Sequence, residues 1–199
     1  MIRARRDFIT KIRRRVKREG FRFQIAPKKL YLNGFEVGGY FDEGDGLFVN
    51  TKKEESAWLM ILIHEYCHFL QYMEGAFTGG IANNYFERLG LWLEKDIELT
   101  AEEALECVMF VVECEVDCER RAIQLIRDNP DLQIDVHLYT KKANAYILFH
   151  AVVLEDRIFY DRKSPYKVPE ILEQTPDDEL IDTFLIAPTW YKNLIRKYC

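Results

Sequence analysis

From Ile2 to Arg18 the apolar residues Phe8, Ile9, Ile12 and Val16 recur at helical spacing among basic ones, which predicts an amphipathic helix ended by Gly20. The period then changes. Short alternating runs follow at Phe21 to Ile25, Lys29 to Leu32, Glu36 to Phe41 and Gly46 to Val49. The pairs Asn33-Gly34 and Asp45-Gly46 between them predict hairpins of a small antiparallel sheet. Between Glu54 and Met73 lies a helix whose Trp58, Leu59, Ile61, Leu62 and Ile63 are apolar nearly all round, the mark of a buried helix. Gly75, Gly79 and Gly80 are expected to end it.

A shorter helix is expected over Asn83 to Glu94. Thr100-Ala-Glu-Glu103 then has the spacing of a capping box, with Thr100 as N-cap and Glu103 reaching back. The long helix it opens runs to about Arg127 and is stopped by Asp128-Asn129-Pro130. Another helix is predicted over Lys141 to Glu155, before a tail holding Pro165, Pro169, Pro176 and Pro188. No repeat, low-complexity tract or long linker interrupts the pattern. With 199 residues, 48% of them hydrophobic, the expectation is one α+β domain over residues 1–199.

Charge changes the picture at one end only. The first twenty residues hold nine basic side chains, Arg3, Arg5, Arg6, Lys11, Arg13, Arg14, Arg15, Lys17 and Arg18, against Asp7 and Glu19. The whole chain nevertheless carries a formal charge of −5. A solvated face on a docked helix is the plain explanation, and nucleic-acid contact through this helix is the sharper one. No run approaches the roughly 18 apolar residues of a membrane span, and the basic start lacks the apolar core of a signal peptide. A cytoplasmic location follows as the expectation. The five cysteines, Cys67, Cys107, Cys114, Cys118 and Cys199, show no C-x-x-C spacing, so they are expected to be reduced and mostly buried.

The chemistry is carried by Ile63-His64-Glu65-Tyr66-Cys67-His68-Phe69, an H-E-x-x-H sequence inside the helix already predicted from its apolar residues. Positions four apart on a helix share a face, so His64 and His68 can bind one metal ion, with zinc favoured and iron, manganese or cobalt also suited to such ligands. Glu65 beside the ion can take a proton from a metal-activated water and pass it to a departing amine. Two core histidines matching by chance are the rival explanation, but an unpaired buried carboxylate at Glu65 would be costly. Cys67 is assigned to packing.

A catalytic zinc needs a third protein ligand and one open position. On the long helix Leu105, Val108, Met109, Val112, Val116, Ile123 and Ile126 form an apolar stripe, with Glu115 and Glu119 within it or at its edge. A cation at His64 and His68 would compensate Glu115, and Glu119 one turn on could orient a histidine. Glu113 and Asp117 compete, on a stripe shared with Glu106, Arg120, Arg121 and Gln124. Tyr146 and His150, on one helical face, are candidates for stabilising an oxyanion, although His150 beside Phe149 and Val153 also reads as a core residue.

These residues resemble the gluzincin-type metallopeptidases, in which an HExxH helix is followed by a helix bearing a Glu ligand in an E-x-x-A-D/N-x-x-A pattern. The stretch here is Glu115-Val-Asp-Cys118-Glu119-Arg-Arg-Ala122, with Cys118 in place of Ala and Glu119 in place of Asp or Asn. The order of a hairpin ending in Gly46-Leu-Phe-Val-Asn50, the HExxH helix and a Glu helix also looks like ImmA/IrrE-like peptidases of mobile elements and HExxH proteins of tailed phages. Residues 36–127 are covered, leaving residues 1–20 as a basic helix and 130–199 as a helical extension. The resemblance implies a zincin-like fold, with a small antiparallel sheet packed on the HExxH helix and on the Glu helix. It implies a zinc peptidase with ligands His64, His68 and Glu115, base Glu65, a peptide or protein substrate, and a host-cytoplasm setting if phage-encoded. It also implies that the strand near Phe41 to Val49 is an edge along which an extended peptide pairs. The alternatives are a zinc amidohydrolase acting on a small amide and a non-catalytic metal-binding or structural protein of phage type.

Overall fold

The computed structural model describes residues 1–32, 35–78, 80–159 and 163–199, and its chain falls into two compact units, Met1–Ala76 with Arg121–Ile134, and Phe77–Arg120 with Asp135–Cys199. The described residues form seven α-helices, a three-stranded sheet and a two-stranded one, an α+β arrangement. No helix among them is long and apolar enough to cross a membrane.

In the first unit α1 (Arg3–Arg18) buries Ile9, Ile12 and Val16 and packs on β1 (Arg22–Ala26). Next come β2 (Leu30–Leu32), β3 (Phe35–Val37), β4 (Gly39–Asp42), β5 (Gly46–Asn50) and α2 (Glu55–Met73). β4 and β5 form the hairpin expected at Asp45-Gly46, pairing Tyr40 with Phe48 and Phe41 with Leu47. Leu32 pairs with Phe35 in the β2–β3 ladder, and the Asn33-Gly34 turn expected there lies outside the described residues.

The main sheet is mixed rather than antiparallel. Its order is β1-β5-β4, and β1 runs parallel to β5, with Phe23 opposite Leu47 and Ile25 opposite Val49. β1 therefore skips its neighbours in sequence, and β5 becomes the central strand. Every residue of β5 is buried, as a strand flanked on both sides requires. The edge expected over Phe41 to Val49 is thus β4 alone. The run Glu36 to Phe41, expected as one strand, breaks at Gly38 into β3 and β4.

α2 packs on β4 and β5. Phe21 and Phe41 meet Phe69 of α2 edge-on, each with ring centroids 5.7 Å apart, an aromatic lock between sheet and helix. The helix ends at Gly75, whose φ of +71° suits a residue without Cβ. Gly75 N–H and Ala76 N–H donate to the carbonyls of Tyr72 and Gln71, which satisfies the last turn in a Schellman closure. Gly80 does not belong to this ending, since it opens α3 (Gly80–Leu93), and Gly79 lies outside the described residues.

In the second unit the core gathers Val108 and Val112 of α4 (Ala101–Asp128) with Ile147 and Phe149 of α5 (Val136–Asp156) and Tyr191 of α7 (Thr189–Tyr198). The capping box forms as expected: Thr100 N–H donates to Glu103 Oε2 at 2.8 Å and Glu103 N–H to Thr100 Oγ1 at 3.2 Å. α5 begins five residues before the predicted Lys141, because Asp135 caps it by accepting from Leu138 N–H at 3.0 Å. Buried Asn144 ties down the proline-bearing tail and the short α6 (Pro169–Gln174) region. Its amide donates to the carbonyls of Pro176 and Glu179 and accepts from Ile181 N–H.

The buried face of α4 differs in detail from the predicted stripe. Met109 is exposed, whereas Cys107, Val111, Cys118 and Ala122 are buried. Val108, Val112, Val116, Ile123 and Ile126 of the predicted stripe are buried with them, so the face is the predicted one widened toward Cys107, Val111, Cys118 and Ala122 and away from Met109.

Candidate metal centre

α2 places His64 and His68 one turn apart on one face, both half-buried. Their Nε2 atoms lie 3.1 Å apart and their rings are nearly perpendicular at 88°. Two nitrogens each about 2.0–2.1 Å from a tetrahedral ion are separated by roughly 3.3 Å, so the pair fits two corners of a zinc site.

The outer nitrogen of His68 is also fixed. Gln71 Oε1 lies 2.8 Å from His68 Nδ1, and a carbonyl oxygen can only accept, so this contact favours the tautomer with its proton on Nδ1 and a lone pair at Nε2. Gln71 itself is 2% exposed. Sequence reasoning missed this residue, although its position three after His68 puts it on the same helical face.

Glu65, between the two histidines in sequence, is buried. It faces the edge strand: a Cβ added at Gly39 would lie 3.2 Å from Glu65 Cγ, 2.7 Å from Ile61 Cγ2 and 2.9 Å from the Phe48 carbonyl. Only glycine lets β4 pass this close to the HExxH helix. Cys67 is buried and free, in keeping with packing.

The candidate acids on α4 belong to the second unit. Glu113 is exposed, Glu115 and Asp117 are half-buried, and Glu119 is buried. At about 100° per residue, Glu115 falls in the same arc as buried Ala104, Val111, Cys118 and Ala122, while Glu113 lies about 160° away from it. Glu119 Oε2 accepts from the Tyr139 hydroxyl at 2.6 Å, a partner the sequence reading did not foresee.

Tyr146 and His150 also lie in the second unit, with ring centroids 4.9 Å apart. His150 is 1% exposed, and its Nδ1–H donates to the Tyr146 carbonyl at 3.0 Å. Burial pushes its pKa down to about 4, so the ring is neutral with a bare Nε2 and has no proton to offer an oxyanion. The core reading of His150 is the right one. Exposed His137 with Asp177 and Asp178 forms another cluster of possible ligands, but Lys141 Nζ sits 3.5 Å from Asp177 and supplies a cation there.

None of the five cysteines is in a disulfide; four of them are buried and Cys199 is half-buried. Comparison with family models, curated proteins and solved structures finds no match to this chain.

Proposed function

We propose that the protein is a zinc-dependent peptidase of the zincin type, with His64, His68 and Glu115 as metal ligands and Glu65 as general base. The observation that carries this reading is the convergence of the two Nε2 atoms at 3.1 Å, with the His68 proton tied back to Gln71. A bound zinc ion supplies Lewis acidity, which lowers the pKa of an attacking water and polarises the carbonyl.

Glu65 removes the proton from that water as the new C–O bond forms, and returns it to the amine as the C–N bond breaks. Glu115 is preferred to Glu113 because it lies on the inward arc of α4 while Glu113 is exposed. Glu119, held by Tyr139, orients a histidine ligand in this reading.

A peptide is favoured over a small amide because β4 ends the sheet and lies against Glu65 through Gly39. An extended chain can pair along such an edge. Five cysteines held outside any disulfide suit a reducing compartment such as the cytoplasm.

The test is elemental analysis of protein purified without added metal, joined to hydrolysis of a mixed peptide library. About one zinc per chain is expected, lost in His68→Ala and Glu115→Ala and kept in Glu113→Ala. Loss in Glu113→Ala instead would move the third ligand. Zinc without any hydrolysis that depends on Glu65 would make this a binding protein, and a folded chain without metal would remove the centre altogether.

A further inference from the structure

We infer that the exposed face of α1 is a binding site for the phosphate backbone of duplex DNA, a function separate from the metal centre. α1 is 16 residues long and so spans about 24 Å. Its apolar residues Ile9, Ile12 and Val16 are buried in the first unit. Opposite them Arg6, Lys11, Arg13, Arg14 and Lys17 are all exposed. At about 100° per residue they spread over roughly 160° of the helix circumference.

These charges are not consumed internally. Arg3 pairs with Asp7 and Arg18 with Glu19, and Arg13 rests over the Phe23 ring. Arg6, Lys11, Arg14 and Lys17 make no ion pair among the described residues.

Nor does helix stability explain the pattern. The first turn holds no acidic residue and the N-cap Ile2 makes no side-chain cap, while Arg6, unlike Arg3 and Arg5 with their partners Asp7 and Glu55, sits without an ion pair near the positive end of the helix dipole. Arg13 with Lys17, and Arg14 with Lys17 and Arg18, are like-charge neighbours at three- and four-residue spacing, which destabilises a helix. A polyanion laid along this face relieves both conflicts.

Duplex DNA fits best. Its major groove, about 12 Å wide, accepts a helix, whereas the major groove of duplex RNA is too narrow. Cations spread round half a helix reach phosphates on both walls, and guanidinium forks suit phosphate oxygens. An anionic membrane is less apt, because a helix lying on lipid inserts a free apolar face, and this one is already buried.

The test is fluorescence anisotropy of the full chain with a labelled mixed-sequence DNA duplex between 50 and 200 mM KCl. Five phosphate contacts predict a slope of log K against log[salt] near −4.5, roughly a 500-fold loss over that range. Replacing Arg6, Arg13, Arg14 and Lys17 together by Gln should bring the slope near −1, with far-UV circular dichroism unchanged. Replacing exposed Arg127 and Lys163 by Gln should leave binding as it was. If the fourfold variant does not fold, Arg14→Gln alone should still reduce the slope by about 0.9. The inference is overturned if the wild type does not bind at 50 mM, if the folded fourfold variant binds equally well, or if phosphatidylserine vesicles are preferred to the duplex.

Discussion

Gln71 Oε1 lies 2.8 Å from His68 Nδ1, a contact that favours a proton on that nitrogen and leaves Nε2 as the one to bind the proposed metal. Partners of this kind typically contribute 10–100-fold to metal affinity. Gln71→Ala should therefore weaken zinc binding by about that factor in competition with a chromophoric chelator, and Gln71→Glu, which keeps an acceptor, should recover most of it. Equal affinity in wild type and Gln71→Ala would mean that His68 is oriented by packing alone.

Glu65 and the two histidines are separable. Glu65→Gln removes the base while keeping size and burial, so peptide hydrolysis should fall by about 10²–10⁴-fold with zinc content unchanged. Elemental analysis and turnover on the same preparation check this. A Gln variant that retains full activity would leave Glu65 without a catalytic role.

Much of this was legible because its causes are local. The H-E-x-x-H spacing, the Thr100–Glu103 box and the stop of α1 at Gly20 each depend on residues within a turn or two of one another. The inward position of Glu115 was legible too, since it needs only the helical period. The β1–β5 pairing was not, because Phe23 meets Leu47 across three intervening strands and alternation carries no information about direction. The close approach at Gly38 was not legible either, since a Cβ there would meet Ile61 Cδ1 at 2.7 Å and Ile61 lies on a helix far along the chain. Gln71 was passed over because a lone glutamine after an HExxH sequence resembles any polar helix residue until its burial is known.

The close passage of β4 over α2 makes Gly39 a sensitive position. Gly39→Ala places a Cβ 2.7 Å from Ile61 Cγ2 and 2.9 Å from the Phe48 carbonyl, and overpacking of this order costs about 1–3 kcal/mol. Urea unfolding should show that loss. Combined with Ile61→Ala, which removes one of the two clashes, the loss should be smaller than the sum of the single changes. Simple additivity would show that the backbone contact with Phe48 dominates.

His150 makes the protein sensitive to acid. Its imidazole is neutral in the fold with a pKa of about 4, against 6.5 when unfolded, so between those values the unfolded chain binds the extra proton. Stability from this group is therefore complete above pH 6.5 and is lost as pH falls toward 4, amounting to about 2 kcal/mol by pH 5. His150→Leu keeps an apolar side chain with no titration, and removes this contribution from the pH dependence. Urea unfolding of both proteins at pH 7.5 and pH 5 measures the difference: wild type should lose about 2 kcal/mol more than the variant over that interval. Identical losses would mean that His150 takes up its proton without unfolding, which a ring 1% exposed among Tyr146, Phe149 and Ile147 leaves no room to solvate.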